Sequence, residues 1–222
     1  MKTIFLVVMS VAILTVLGSA QDRLSEVDYN TALAQALDAA SSRDRRISTD
    51  EVFYTGEQIT GKRQIVTDFV GNDAKRIDVN EEFNGKKTRS NSITLNGQFF
   101  CKSGEKAWRR ADKECAKAGK VMAIPDGEYE YSVEADPANS GWKIYTRRAS
   151  WKDLGNSPVR DAARLKFIEI KFITDASGLI TEYTETRRGG SEPNGWSSTQ
   201  VTRYEYEPMG LKITEPTVSN KL

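Results

Sequence analysis

The sequence predicts a mainly β protein with α elements: a strongly curved antiparallel sheet, or half-barrel, of about eleven strands with helices over its concave face. From Thr49 onward, apolar and polar residues alternate with a period of two in short segments. Turn dipeptides separate these segments, and Asn84-Gly85 and Asn96-Gly97 are the strongest hairpin signals among them. Because the connections are short, neighbouring strands are expected to be antiparallel.

The segment 22–41 predicts one long amphipathic helix. Ser25 followed by Asp28 resembles a capping box at its start. Apolar residues at helical spacing, with Ala32 beside them, form one face: Tyr29, Leu33, Ala36, Leu37 and Ala40. A second, short helix is predicted over 158–164, because Ser157-Pro158 suits an N-cap and a first helical position. The segment 111–124 predicts a helical turn or an ordered loop.

The candidate strands follow the alternating segments and the turns between them. Gly61-Lys62 is interpreted as one of these turns, and 189–195 as a polar hairpin tip that leaves Trp196 outside the strand pattern. The predicted strands are 50–60, 62–70, 74–82, 87–95, 97–102, 105–110, 127–135, 141–148, 165–175, 179–188 and 198–207, with a short last one near 211–214.

The N-terminus has the pattern of a secretory signal peptide. Lys2 precedes an apolar run over 4–17, and Gly18-Ser19-Ala20 supplies the small residues before a cleavage site. A buried helix, the alternative, would carry polar residues at helical spacing, and this run has almost none. We therefore expect a signal peptide over 1–20 and a single domain over 21–222 that is exported, with the periplasm as its location.

The composition excludes several classes of partner and of catalytic site. The chain has 32 Lys and Arg against 31 Asp and Glu, interspersed, so no nucleic-acid partner is expected. It has no histidine, which excludes Ser-His-Asp triads and HExxH peptidases. A carboxylate-only hydrolase stays open, but the neighbours in Asp50-Glu51 and in Glu81-Glu82 point to opposite faces of a strand. We predict no enzyme, no cofactor and no metal site.

The two cysteines, Cys101 and Cys115, predict a disulfide. An even cysteine count in an exported chain favours this pairing. A metal or redox pair is the alternative, and it is weak because the CxxC spacing is absent.

One-sided strands supply the candidate ligand-binding residues. Their apolar faces either form an ordinary core or line a cavity on the concave side, and the pattern leaves both open. The candidates are Ile93, Leu95, Tyr129, Tyr131, Trp142, Ile144, Ile168, Ile170, Phe172, Tyr204 and Tyr206.

The order of elements also resembles a known family. Arg76-Ile77-Asp78-Val79 leads one strand, the segment 93–100 carries the Asn-Gly turn, and Lys106-Ala107-Trp108 follows. The hairpin at 172–180 and the closing segment 204–216 complete a likeness to periplasmic lipoprotein carriers of the LolA and LppX type. The resemblance implies a half-open sheet whose helices cover an apolar cavity for acyl chains. Arg76 is the nearest candidate for the arginine that closes such cavities, and a surface role for it stays open.

The function expected from these observations is that of a soluble, exported transport or binding protein, acting as a monomer. Its partner would be a lipid, an acyl chain or an acylated lipoprotein held in the cavity. The alternative is an envelope sensor or protein–protein interaction domain that uses the same fold without a ligand.

Overall fold

The computed structural model describes residues 21–115, 127–150, 165–190 and 195–218. The predicted signal peptide and the predicted helix over 158–164 lie outside these residues. So does most of the predicted loop over 111–124, of which only residues up to Cys115 are described.

Helix α1 spans Glu26–Ser41 and begins later than predicted. Asp22–Arg23 form a short strand, β1, because they pair with Val133 and Ser132 at a sheet edge. The predicted cap is confirmed: Ser25 Oγ accepts from the Asp28 amide at 3.1 Å and donates to the Asp28 carboxylate at 2.7 Å. In the part of the chain that is described, no helix is long and apolar enough to cross a membrane.

The other strands are longer than β1 and follow the predicted order. They are β2 (Arg45–Thr55), β3 (Gln58–Val70), β4 (Ala74–Phe83), β5 (Lys86–Leu95), β6 (Gln98–Ser103), β7 (Arg109–Ala111), β8 (Glu130–Ala135), β9 (Lys143–Ser150), β10 (Leu165–Thr174), β11 (Ile180–Gly189) and β12 (Trp196–Tyr206).

All twelve strands form one antiparallel sheet in the order β1-β8-β9-β10-β11-β12-β2-β3-β4-β5-β6-β7. The mainly β prediction is confirmed, and the sheet is open, since β1 and β7 are not paired with each other. The short strand predicted near 211–214 is wrong. That segment is irregular. The tail contacts the sheet where Glu215 pairs with Arg110 of β7 at 3.3 Å, and Val218 forms a bridge with Trp108.

The two faces of the sheet follow from its register, because residues directly opposite each other on neighbouring strands share a face. We call the face that carries α1 the helix face and the other the outer face. On the helix face, Tyr29 of α1 packs against Phe172, with ring centroids 5.3 Å apart, and Phe172 stacks on Tyr145 at 4.5 Å. The cluster around them contains Ala36, Ala40, Ile180, Tyr131, Tyr183, Tyr204 and Tyr206.

Turn chemistry explains which hairpin predictions succeed. Asn84 and Gly85, and again Asn96 and Gly97, have positive φ, as two-residue hairpin loops require. The turn predicted at Gly61 is wrong, because Gly61 lies inside β3. A Cβ at this position would overlap the ring of Phe83 on the neighbouring strand. The glycine is therefore needed for a close approach between strands.

Two local predictions concern the cysteines and Trp196. The disulfide between Cys101 and Cys115 is formed, with Cα atoms 6.0 Å apart, so it ties the segment after β7 to β6.

Trp196 does not lie outside the strand pattern. It begins β12 and packs half-buried against the cluster of Ala149, Leu165, Ile168 and Ile170.

Candidate functional site

A cavity lies on the helix face between α1 and strands β2, β11 and β12. Its volume is about 410 Å³. Two helix residues and nine sheet residues line it: Leu33, Leu37, Thr49, Glu51, Tyr183, Glu185, Arg187, Ser198, Gln200, Thr202 and Tyr204.

The helix side of the cavity is apolar. Leu33 is partly buried against the aromatic cluster, whereas Leu37 one turn later is 43% exposed. Both leucines belong to the predicted apolar face of the helix, but only Tyr29, Ala36 and Ala40 on that face are fully buried. The second half of α1 therefore presents the side chain of Leu37 to open space.

The sheet side of the cavity is mostly polar. The hydroxyls of Thr49 and Thr202 lie 3.0 Å apart, and Gln200 Nε2 donates to Thr202 Oγ1 at 3.3 Å. Tyr183 and Tyr204 add rings to this surface, and burial raises the pKa of both phenols, so both hydroxyls stay protonated at neutral pH. The cavity is thus amphipathic, with a leucine roof and a floor of hydroxyl, amide and charged groups.

One cross-strand row carries the charges of the floor. The register places Arg147, Ile170, Glu185 and Gln200 opposite one another, and continues through Glu51, Arg63 and Glu81. We call these seven residues the charged row. The row crosses the helix face from β9 to β4, and its middle part, Glu185, Gln200 and Glu51, lies in the cavity.

Most members of the charged row are paired. Glu185 forms an ion pair with Arg187, which lies in the next row, and accepts from Tyr183 Oη at 3.1 Å. Arg63 bridges Glu51, at 3.0 Å, and Glu81, at 2.6 Å. Burial raises the pKa of Glu51, and the Arg63 charge opposes this shift. The floor can therefore hydrogen-bond a polar group without leaving a carboxylate uncompensated.

The sequence candidates separate into three groups. Tyr204 is the only one of them among the cavity-lining residues that the structure describes. Six others lie on the helix face in the packed clusters: Tyr129, Tyr131, Ile168, Ile170, Phe172 and Tyr206. Ile168, Ile170 and Phe172 are at most 2% exposed, so they act as core residues here.

The remaining four candidates lie on the outer face. In the strand register, Ile144 lies opposite Ile173. Ile93 lies opposite Arg76, and Arg76 lies opposite Asp68 on the next strand. Trp142 and Leu95 share these alternations. These candidates therefore do not share a face with Ile170 and Phe172, because a period of two marks a one-sided strand without telling which side is covered. The register also puts Arg76 on the outer face, where it pairs with Asp78 at 2.7 Å, so it does not close the cavity.

The adjacent carboxylate pairs behave as predicted. Asp50 pairs with Arg203 on the outer face at 3.5 Å, whereas Glu51 faces the cavity. Glu81 pairs with Arg63, and Glu82 pairs with Lys87 at 3.7 Å. Neither pair forms a dyad. Among the described residues, no group of three His, Cys, Asp or Glu side chains is placed to hold a metal ion.

Sequence reasoning missed the polar residues of the floor and the row they form. Thr49, Glu51, Glu185 and Gln200 occupy ordinary alternating positions. The first two lie on β2, far in sequence from β11 and β12, which carry the other two. The sequence did hold one signal, because the inward positions of β11 after Tyr183 are charged where a core would need apolar residues. These positions are Glu185 and Arg187.

Comparisons with known proteins give little beyond this geometry. No family model matches the sequence, and no curated protein matches it. Among solved structures, the chain is similar to the crystal structure of a DUF1329 family protein from Desulfovibrio piger. The identity is 12%, the TM-score is 0.29, and the match covers 84% of this chain and 94% of that one.

Proposed function

We propose that this protein is an exported binding protein that holds a lipid or another acylated molecule in the cavity between α1 and the sheet. The observation that carries the proposal is the amphipathic lining, with Leu33 and Leu37 opposite a hydrogen-bonding floor. A ligand with an apolar chain and a polar group matches both surfaces at once.

The leucine roof contributes the favourable binding free energy for the apolar part of such a ligand. Leu37 is 43% exposed over the cavity, and covering it removes apolar surface of both protein and ligand from water. Each methylene transferred from water contributes about 0.8 kcal/mol. The rings of Tyr183 and Tyr204 extend this apolar surface toward the sheet.

The floor supplies orientation. The hydroxyl and amide groups of Thr49, Thr202 and Gln200 are already hydrogen-bonded to one another, so they keep fixed positions and still offer further acceptor capacity. The volume of about 410 Å³ falls in the range of pockets that hold small molecules, about 300–1,000 Å³. These features favour one amphiphile of moderate size.

A cavity-filling variant tests the proposal. Gln200→Trp places a large ring in the centre of the floor, and Thr199→Trp places the same ring on the outer face of the same strand. Using delipidated protein and a fluorescent fatty acid, we expect Gln200→Trp to weaken binding about tenfold or more and Thr199→Trp to leave it unchanged. Circular dichroism of both variants checks that the fold is retained.

Two results would contradict the proposal. One is a delipidated wild-type protein that binds no acyl probe. The other is an equal loss of binding in both tryptophan variants. Either result would favour the interaction-domain alternative, in which the sheet contacts another protein.

Export is a separate part of the proposal and rests on the N-terminal pattern alone. Cleavage after Ala20 should leave a chain that starts at Gln21. Intact-mass measurement of protein recovered from outside the cytoplasm tests this, and a chain that retains Met1 would refute it.

A further inference from the structure

Arg147 differs from the other arginines of the helix face that are at least partly buried. Arg63 and Arg187 pair with carboxylates, and Arg45 donates to the carbonyls of Ser41 and Arg43 at 3.1 and 3.0 Å. Among the described residues, Arg147 has no ion pair with a carboxylate and its Nε has no hydrogen-bond partner. It begins the charged row on β9 and is half-buried.

The Arg147 side chain is held in place by aromatic rings. Its guanidinium lies 3.9 Å from the centroid of Tyr129 and 5.7 Å from that of Tyr131. Stacking on a ring fixes the plane of a guanidinium while leaving its edge N–H groups available. The arrangement therefore orients the donors of Arg147 without using them.

A second unused donor lies beside it. Tyr29 is 1% exposed, and its hydroxyl has no partner among the described residues. Its ring centroid is 5.4 Å from that of Tyr131, the same ring that Arg147 approaches. Burial raises the pKa of Tyr29 and the Arg147 charge opposes the shift, so the two groups interact electrostatically. A buried hydroxyl without a partner is unfavourable unless a ligand supplies an acceptor.

Two donors without acceptors, one of them cationic, are complementary to an acidic group. The planar guanidinium matches the two oxygens of a carboxylate or a phosphate, and the phenol adds a neutral donor. Glu185, which lies two strands away in the charged row, does not oppose an anion strongly because Arg187 and Tyr183 already compensate it. Tyr183 connects this place with the cavity, since it lines the cavity and packs against the Tyr29 cluster.

We propose that Arg147 and Tyr29 form a subsite for the acidic group, carboxylate or phosphate, of the amphiphile that occupies the neighbouring cavity. The inference rests on the proposed function and adds the chemical class of the ligand: an acidic amphiphile such as a fatty acid or a single-chain phosphate ester.

The test compares three probes with the same alkyl chain: a fatty acid, an alkyl phosphate and a primary alcohol. Arg147→Met removes the charge and keeps the length of the side chain, and Tyr29→Phe removes only the hydroxyl. Arg148→Met is the matched control, because Arg148 is the next residue on β9, lies on the outer face and pairs with Glu130 at 2.8 Å. Affinities are measured by displacement of a fluorescent fatty acid or by calorimetry.

We expect Arg147→Met to weaken the acid and the phosphate about tenfold or more and to leave the alcohol unchanged. Tyr29→Phe should weaken the acidic probes by a smaller factor, Arg147→Lys should retain part of the affinity, and Arg148→Met should have no effect. Inorganic phosphate tests whether the subsite binds an anion that has no alkyl chain. If phosphate displaces the fluorescent fatty acid from the wild type but not from Arg147→Met, a free anion is a sufficient ligand of the subsite.

The two proposals fail in different ways. If the wild type binds acid and alcohol equally well, and Arg147→Met alters neither affinity, the subsite is refuted while the cavity stands. A loss that is equal for acid and alcohol in a folded Arg147→Met would assign Arg147 a structural role and also refute the subsite. If the wild type binds none of the three probes, the proposed function fails first.

Discussion

The half of the sheet that α1 covers and the half beyond β2 are stabilised in different ways. In the covered half, strands β8 to β12 bury aromatic rings against the helix, and Phe172, Ile180 and Ile168 are fully buried. In the far half, strands β3 to β7 have a smaller apolar cluster of Ile65, Ile77 and Val79. The far half adds paired charges and the disulfide.

The polar contacts of the far half are numerous and specific. Arg63 bridges Glu51 and Glu81 and lies within 5.8 Å of the centroids of Phe53 and Phe83. Lys75 pairs with Glu114 at 3.1 Å, next to Cys115. The comparison teaches that packing stabilises the part of the sheet with the cavity, whereas directional contacts stabilise the far half, over which the described residues place no helix.

Removal of a ring should cost far more in the covered half. Phe172→Ala deletes a fully buried side chain between Tyr29 and Tyr145, and we expect a loss of about 3–5 kcal/mol in the free energy of unfolding. Phe83→Ala removes a half-buried ring in the far half and should cost less than about half of that. Urea unfolding measures both, and equal losses would contradict the comparison.

Loss of the disulfide should affect the far half alone. Cys101 and Cys115 are 14 residues apart, and Cys115→Ser should lower stability by up to about 3 kcal/mol. Hydrogen exchange should become faster in β6, β7 and the segment 112–115, while α1 keeps its protection. Reduction of the wild type should reproduce the pattern. Increased exchange in α1 would show that the two halves are not independent.

The close approach at Gly61 should be sensitive to a single methyl group. Gly61→Ala forces the Phe83 ring to move, and we expect a cost of about 1–3 kcal/mol. Phe83→Leu in the same chain should recover much of that loss because it makes room for the methyl group. If the double variant is no more stable than Gly61→Ala, the ring contact is not the reason for the glycine.

The smallest effect concerns Glu51, which links the two halves. Burial raises the pKa of Glu51 above its usual 4.5, so the folded protein keeps a proton at a pH where the unfolded chain has lost it. The free energy of unfolding contributed by this group therefore falls as pH rises from about 4.5 through the raised pKa. Glu51→Gln has no carboxyl group to titrate, so it should remove that decline. The free energy of unfolding is measured at several pH values for both proteins. An identical dependence on pH in the two proteins would contradict the prediction.

Local chemistry made much of the fold predictable. The cap at Ser25 and the hairpin loops at Asn84-Gly85 and Asn96-Gly97 depend on neighbouring residues only, and all three are confirmed. Gly61 was misread because a glycine required by a ring on the next strand has the same sequence signature as a turn glycine. Asp22–Arg23 joined the predicted helix for a similar reason: their partner, β8, lies far away in the chain.

The site was predicted only in part, since its location depends on pairings between distant strands. Tyr204 was identified from its alternation and does line the cavity, but Ile93 and Ile144 have the same alternation and lie on the outer face. Arg147 and Glu51 are unremarkable in the sequence. Their roles follow from the register of β9, β10, β11, β12 and β2, which no short segment encodes.

The central pairing of β12 with β2 has a consequence for how the chain acquires its structure. The hydroxyls of Thr49 and Thr202 meet across 153 residues of sequence, so this contact forms only after almost the whole polypeptide is available. Strands β2 to β7 can pair as successive hairpins during synthesis. The pairing of β12 with β2 can form only after the last strand has been synthesised. Non-local closure of this kind is slow compared with hairpin formation. A nascent or truncated chain that lacks β12 therefore exposes the unpaired edge of β2, and this edge is where a chaperone would be needed most.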